Sequence, residues 1–410
     1  SIVQTAGNMG ASIDLTKTNE AGIKAVLSFI NYKSDYRANL GQVETWARNS
    51  QEALAWWAEA AAKGGSESKP YDYTVNCNGH EVFFHANTYF HDEGHQKGAL
   101  VIGDAVQAEG AEIFFETPCV QLLVEDGRVA GAIGETKDGT HVLLRANKGV
   151  IMAAGDYVGD SEMLYYYTPD AKGLHQAVDF RNGTGLKAAM WAGAQMCPAS
   201  HTKMVHGEGP KVRFEMPYLF LDRHGKRFMD EHAGRKIKAD ALFKVIGTDE
   251  NYPIAVCDDA IVKAINPSFV KLPLEMGTVK KFDTLEELAD YFKINKAPFL
   301  EEVKKFNGFV KSGEDTDLHR ILKFNNGLDV SKAPFYGIEV CPKIHHTMGG
   351  VMINEKAQVI STMTQAPIKG LYAGGEITGG VHGASRLGTV AVIDALTFGM
   401  IAGEGFAAMK

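Results

Sequence analysis

Three glycine-rich segments of this sequence have the residue types and spacing to hold a phosphate or an anionic ring edge. They are Val150-Ile-Met-Ala-Ala-Gly155, Leu371-Tyr-Ala-Gly-Gly-Glu-Ile-Thr-Gly-Gly380, and Arg386-Leu-Gly-Thr389 leading into an apolar run. A strand that ends in small residues and passes into a helix start offers exposed N–H groups and the positive end of a helix dipole. Tight β-turns at packed corners account for any one of these segments equally well, because a single glycine cluster does not specify a ligand. The five cysteines (Cys77, Cys119, Cys197, Cys257, Cys341) contain no CxxC pair. Their odd number and wide spacing suit neither a disulfide framework nor a zinc or iron–sulfur site. Cys77-Asn-Gly-His80 is one residue short of the haem-attachment pattern. Free thiols and no bound metal are expected.

The elements that must position these segments follow from periodicity and punctuation. Residues 20–64 read as helical, with apolar Ile23, Val26, Leu27 and Ile30 at helical spacing and Trp46, Leu54, Trp56 and Trp57 continuing to Gly64-Gly65. A helix is expected over 94–110, then a strand from Ala111 to Glu116. Two further strands, Val120–Glu125 and Val129–Glu135, flank Asp126-Gly127, a hairpin dipeptide, and His141–Ala146 completes an antiparallel meander. Gly149–Gly155 is an apolar strand running straight into glycine, and Gly370–Gly374 another. From about 218 to 334 charge rises and amphipathic helices are expected over 284–293 and 299–312. Past Pro334 the glycine-rich texture returns and ends in a long helix from about 389. That helix must pack on the first lobe, so the middle lobe reads as an insertion. The expected division is 1–217, 218–334 and 335–410, with the outer two forming one domain.

Composition narrows the class. The chain has 410 residues, 45% hydrophobic and 22% charged, with a net charge of −8. Glycine stands at 44 of 410, about 11% against roughly 7% on average, as in folds where backbone approaches a nucleotide closely. No dense basic run or basic-aromatic stripe is present, so nucleic acid is not an expected partner. No stretch approaches 18 consecutive apolar residues, so no segment reads as a membrane span.

Taken together, Ile344-His-His-Thr-Met-Gly-Gly-Val-Met-Ile353 and Gly370-Leu-Tyr-Ala-Gly-Gly-Glu-Ile-Thr-Gly-Gly-Val-His-Gly-Ala-Ser-Arg-Leu-Gly388 closely resemble the fumarate reductase and succinate dehydrogenase flavoprotein family, in its soluble flavocytochrome-type and urocanate-reductase branch. Residues 149–155 resemble the family strand ending Ala-Thr-Gly-Gly. Gly225-Lys-Arg-Phe-Met-Asp-Glu-His-Ala-Gly-Arg235 resembles its Gly-x-Arg-Phe-x-Asn-Glu-x-x-x-Arg segment. The resemblance runs along nearly the whole chain. It implies an α/β fold, a Rossmann-like FAD-binding domain with an inserted α+β capping domain, and an FAD-dependent enzyme that reduces the C=C bond of an unsaturated acid. It implies that Arg386 and His345 bind the substrate carboxylate and that Arg235 donates the proton. It further implies FAD contacts at Ser1, Ala6, Gly7, Val120, Ala154, Gly155, His346, Gly375, Glu376, Arg386, Leu387 and Gly388. Glu376 would hold ribose or ribityl hydroxyls, Val120 would meet adenine through its backbone, and residues 387–389 with the last helix would favour the reduced flavin anion. His382 would play a supporting role.

Three departures shape the expectation. The family's N-terminal βαβ unit with GxGxxG is missing from this chain, since Ser1 aligns just past that fingerprint. Cys197, in Gln195-Met-Cys-Pro-Ala-Ser-His201, stands where family fumarate reductases carry a histidine for a second carboxylate. Lys211 and Phe214 replace the Glu and Arg of the family's proton relay, a place that His201, His206, Arg213 or Glu215 could fill. An enoate with one carboxylate is therefore preferred to fumarate. Cys197 itself reads as inert, and Tyr165-Tyr-Tyr167 as a packing cluster or an aromatic wall. Electrons would come from a separate donor: a reduced flavin, a haem or a redox protein. The alternatives are a ketosteroid-type dehydrogenase and a cofactor-free binding module.

Overall fold

The computed structural model describes the chain apart from residues 1–7, 64–67, 90–93, 172–174, 177–180, 199–200, 209–217, 234, 248–250, 266–270, 272–273, 385, 387–389 and 410. The chain opens with β1 (Asn8–Ile13), α1 (Glu20–Lys33), α2 (Leu40–Lys63), β2 (Ser68–Cys77), β3 (His80–Tyr89) and α3 (Gly94–Ala108). Next come β4 (Cys119–Glu125), β5 (Arg128–Glu135), β6 (His141–Arg145), β7 (Val150–Met152), α4 (Ser161–Tyr167), β8 (His175–Gln176), α5 (Thr184–Trp191) and β9 (Thr202–Glu208). The middle holds β10 (Leu219–Leu221), α6 (Arg235–Ile246), β11 (Ile254–Asp258), α7 (Asp259–Ile265), β12 (Lys280–Phe282), α8 (Leu285–Phe292), α9 (Lys296–Ser312) and β13 (Phe335–Glu339). The last stretch is β14 (Cys341–Met348), β15 (Val351–Met352), β16 (Gln358–Ile360), β17 (Pro367–Ala373), β18 (Thr378–Gly379) and α10 (Val390–Ala407). Two compact units result, one of Ser1–Lys172, Val178–Met204 and His346–Lys410, the other of Gly173–Ala177 and Val205–His345.

The first unit is built on a six-stranded sheet ordered β16-β17-β5-β4, with β6 beside β5 and β7 beside β17. The β4–β5 hairpin turns through Asp126 and Gly127 with φ of 48° and 71°, the left-handed pair that the hairpin dipeptide supplies. β7 runs parallel to β17, pairing Leu371 with Val150 and Ala373 with Met152. Glycine permits that pairing. Gly149 sits at φ 142°, and a Cβ there would fall 2.3 Å from the carbonyl oxygen of Gly370. β5 is parallel to β17 and antiparallel to β4. The start of β4 and the ends of β7 and β17 therefore lie at one end of the sheet, where ligands bind in open α/β folds.

The helix read over 20–64 is two helices. Asn19 caps α1, its side chain accepting from the Gly22 N–H, and Ile23, Val26 and Ile30 are buried. The chain then turns at Asp35 and Tyr36, both with positive φ. Asn39 starts α2 by accepting from the N–H groups of Gly41 and Gln42. The break serves a long-range bond: the Asn39 N–H donates to Gly380 O, and the Ala384 N–H to Ser34 O. The strand expected from Ala111 to Glu116 does not form. Among the described residues no strand pairs with it, Glu116 has φ 50°, and the Thr117 hydroxyl folds back onto Phe115 O. Phe115 is left 76% exposed. One helix among the described residues, α10, is long and apolar enough to cross a membrane by length and composition. It packs on α2, β1 and β17 and buries Ile393, Phe398 and Ala402. Alanine and glycine keep its average apolar despite Asp394 and Glu404.

The second unit holds a four-stranded antiparallel sheet ordered β10-β11-β13-β12. Leu219, Leu221, Ile254, Val256, Leu288, Phe299 and Phe306 form its core. Thr284 and Glu287 make a capping box at the start of α8. The segment from Arg227 to Glu231 is tied down by buried charge. Arg227 donates to Glu231 at 2.8 and 2.7 Å and to Asp315 at 2.9 Å, and Arg320 lies 3.0 Å from Glu231. Both guanidinium groups rest on the Phe306 ring, at 5.0 and 5.1 Å. Removing one member strands the others without compensation. Glu231→Ala is expected to cost about 3–5 kcal/mol of unfolding free energy, read from urea denaturation; a loss below about 1 kcal/mol, that of an exposed pair, would contradict the network's role.

Candidate active site

Val120, Gly155 and Glu376 are brought together at the shared end of the first unit's sheet. The register of β4 against β5 shifts between Cys119 and Gln121, so Val120 is the extra residue of a β-bulge, a device that re-aims backbone groups. Ala154 and Gly155 follow β7, with Gly155 at φ 76°. Gly374 and Gly375 follow β17, and a Cβ on Gly374 would lie 3.1 Å from the Gly399 N within α10. That close approach lays the turn of Gly375–Ile377 against the helix and presents Glu376 beside it.

Glu376 is the hub of a charge network that the sequence reading missed. Arg181 Nη1 donates to its Oε2 at 2.7 Å, and His346 Nδ1 lies 2.5 Å from its Oε1. Arg181 Nη1 is also 2.8 Å from His346 Nδ1. A carboxylate only accepts, so the short contact to Oε1 puts a hydrogen on His346 Nδ1, and Arg181 and His346 share one carboxylate. Asp156, fully buried, accepts from the Thr347 N–H at 2.6 Å and has Oδ1 3.5 Å from Arg181 Nε. Burial pulls the Glu376 carboxyl up, but His346 and Arg181 outweigh it and hold it at about 2. Burial dominates at Asp156 and pushes its carboxyl up despite the Thr347 N–H and Arg181. Asp156, His346 and Glu376 bring ligand atoms within 4.8 Å of one another, a spacing that could hold a metal ion. Arg181 already supplies the positive charge such an ion would bring, so the group reads as an ion-pair network. Asp156 directly follows the apolar strand into Gly155, and Arg181 opens the polar Arg-Asn-Gly-Thr-Gly run that leads into α5; neither has a spacing that betrays the pairing.

The other predicted residues fall as follows. Arg386 is described and lies near His382, whose ring is held at about 3 by burial and then by the Arg386 charge. His382 Nε2 is 3.6 Å from Asp394 Oδ2, and burial raises the Asp394 carboxyl to about 7. His345 and His346 are neighbours in β14, so they face opposite sides of that strand. His345 ends the second unit and His346 resumes the first. Arg235 opens α6 in the second unit. Ser1, Ala6, Gly7, Leu387, Gly388 and Thr389 lie outside the described residues, as do Lys211, Arg213, Phe214 and Glu215. The tyrosine run divides: Tyr165 and Tyr166 are 61% and 73% exposed, whereas Tyr167 stacks on His201 at 4.7 Å. Cys77, Cys119, Cys197 and Cys257 are free thiols, and burial raises the Cys197 thiol to about 11.

These residues fit FAD. A carboxylate suits sugar hydroxyls, small residues at the strand ends leave room for backbone contact, and α10 carries no acid in its first turn to oppose an anionic ring. A cavity of about 370 Å³ in the same unit is walled by Gly379, Gly380 and Gly383. A Cβ on Gly380 would reach 1.8 Å from Gln42 Oε1.

Comparison with known proteins agrees. The family described as an FAD binding domain matches residues 15–392. The NADH:acrylate oxidoreductase of Vibrio harveyi is 32% identical over 316 residues, covering 73% of this chain and 31% of that protein. The open conformation of a flavocytochrome c3 fumarate reductase superposes with a TM-score of 0.75 at 27% identity, covering 98% of this chain and 71% of that one. A 3-ketosteroid Δ1-dehydrogenase from Sterolibacterium denitrificans reaches a TM-score of 0.78 at 16% identity, over 99% of this chain and 92% of that one, a likeness of fold alone. The chain spans 31% to 53% of the lengths of the first curated relatives it matches.

The network has a pH signature. The folded Glu376 value of about 2 lies below the ordinary 4.5, so its contribution is complete above pH 4.5 and is lost as pH falls from there toward 2. In thermal melts across that window Glu376→Gln is expected to show a shallower loss of stability than the parent protein. Equal slopes would mean the carboxylate is not held by His346 and Arg181.

Proposed function

This chain belongs to the family of FAD-binding domains, and from that premise we propose that it catalyses the flavin-dependent reduction of the carbon–carbon double bond of an α,β-unsaturated carboxylate. What carries the reading is the convergence of Val120, Gly155, Gly375 and Glu376 at one end of one sheet, in a chain whose relatives bear the names of acrylate and fumarate reductases. Glu376, Gly155, Gly375, His346 and the backbone at Val120 would hold the cofactor. Reduced FAD supplies the hydride that the reaction needs.

The remaining requirements fall to side chains of this protein. Arg386 binds the substrate carboxylate through its planar fork, and His345 adds a hydrogen bond, so electron density is drawn from the conjugated bond. Arg235 gives a proton to the carbon next to the carboxylate as hydride reaches the carbon beyond it, and regains a proton from solvent. Two electrons must first reach the flavin from a separate donor, whether a reduced flavin, a haem or a redox protein. A neutral steroid needs no pair of guanidinium groups, which favours the acid over a ketosteroid.

Arg235→Ala is expected to abolish turnover of 2-enoates while the visible spectrum of bound FAD stays unchanged, and Arg386→Ala to raise KM by about 10–100-fold, the value of a charged hydrogen bond. Steady-state assays with absorbance spectra check both. Retained turnover in Arg235→Ala would remove it as the acid.

A further inference from the structure

On its buried face α10 carries a carboxyl opposite a histidine. The Asp394 side chain is 7% exposed and that of His382 14%, and Asp394 Oδ2 lies 3.6 Å from His382 Nε2. That separation is too long for a hydrogen bond. Asp394 Oδ1 and His382 Nδ1 are buried as well, and neither has a hydrogen-bond partner among the described residues. Thr397, one turn further along α10, makes no bond to the carboxyl either. The gap is built into the fold. His382 lies in the turn of residues 380–384, which is tied to the α1–α2 link by the Asn39 N–H to Gly380 O and the Ala384 N–H to Ser34 O. A Cβ on Gly383 would stand 2.7 Å from the Ala38 nitrogen, so the turn is already seated on that link. Asp394 stands on a helix packed against α2, β1 and β17. Neither side can advance on the other.

Two arrangements avoid a lone buried charge here: an ion pair, or a neutral acid beside a neutral ring. A buried ion pair offsets its lost hydration only through close contact and hydrogen bonds to its remaining atoms. This pair has neither. We propose that His382 and Asp394 form a neutral pair that holds one proton on Asp394, so that folding at mildly acid pH moves that proton from the histidine to the aspartate. The inference goes beyond the reduction reading and uses none of it. Burial supports it, raising the Asp394 carboxyl to about 7 and, with the Arg386 charge second, lowering the His382 ring to about 3. Glu376 and His346 also act on His382, in opposite senses, and burial alone moves Asp394. Among the elements packed on α10, β1 and β7 carry no charge, and Glu44 and Arg48 of α2 pair with each other. The other acids and bases of α2, β17 and α10 are exposed. The consequence is electrostatic: a neutral His382 adds no second cation next to Arg386.

The ordinary values are 3.8 for the aspartate and 6.5 for the histidine. Between them the unfolded pair and the folded pair bind one proton each, so the two effects on stability cancel and emerge only when one partner is removed. In Asp394→Asn the unfolded chain binds one proton more than the folded one, through His382, so stability rises with pH. In His382→Gln it binds one fewer, through Asp394, so stability falls with pH. Urea unfolding of the full chain between pH 5 and 6 is expected to show these opposite trends relative to the parent protein, each about tenfold in the folding equilibrium constant per pH unit. Difference infrared spectra at pH 6 are expected to lose one protonated-carboxyl band in Asp394→Asn. Parallel pH profiles in parent and variants, slopes of reversed sign, or no band lost would overturn the proposal. So would an Asp394→Asn chain that fails to fold at pH 5, because an amide replaces a neutral acid at little cost. None of these readouts needs FAD or turnover, so a failure of the reduction reading leaves them untouched.

Discussion

The parallel pairing of β7 with β17 constrains everything else in the first unit. Residues 150–152 and 371–373 are far apart in the chain, and they lie side by side only because glycine occupies both crossing points. Gly149 meets the backbone of Gly370, and Gly370, at φ 74°, in turn meets the carbonyl of Val129, where a Cβ would stand 2.4 Å away. Any side chain at either position would push the strands apart. Once they are parallel, the exits after Met152 and Ala373 fall at one end of the sheet, and Ala154, Gly155, Gly375 and Glu376 share it.

That geometry creates an electrostatic problem and shows how it is met. It sets the carboxylates of Asp156 and Glu376 close together in partly dry surroundings, where like charges repel. Arg181 and His346 sit between them, and the sharing is unequal: Glu376 is held ionised while burial raises Asp156. A half-exposed carboxylate, firmly charged and flanked by Arg181 and His346, is well suited to gripping sugar hydroxyls. The second unit handles charge differently, sealing Arg227, Glu231, Asp315 and Arg320 beside Phe306 in a buried network.

Local features of the fold were legible in the sequence, and long-range ones were not. The Asp126-Gly127 hairpin, the apolar strands running into Gly155 and Gly374, the helices at 285–292 and 296–312 and the C-terminal helix all follow from residues that lie within one element. The break between α1 and α2 was hidden, because apolar spacing continues through it and the turn is fixed by bonds to Gly380 and Ala384. Ile113-Phe-Phe115 has strand composition but no strand beside it among the described residues. In the candidate site, Glu376 and His346 were named from motifs; Arg181 and Asp156 were missed because their partners lie in distant segments. Cys197 was noticed as a departure, but the bond of its N–H to Gly350 O, and the His201 ring packed beside it, are properties of packing.

The account stands on the sheet end as a flavin site that serves enoate reduction. Its most direct test is to reduce the FAD-loaded chain photochemically without oxygen and to follow the flavin absorbance as crotonate is added. The account predicts that the oxidised flavin band returns and saturated acid appears in equal amount. A chain that fails to bind FAD, or a reduced flavin that no 2-enoate discharges, would contradict it.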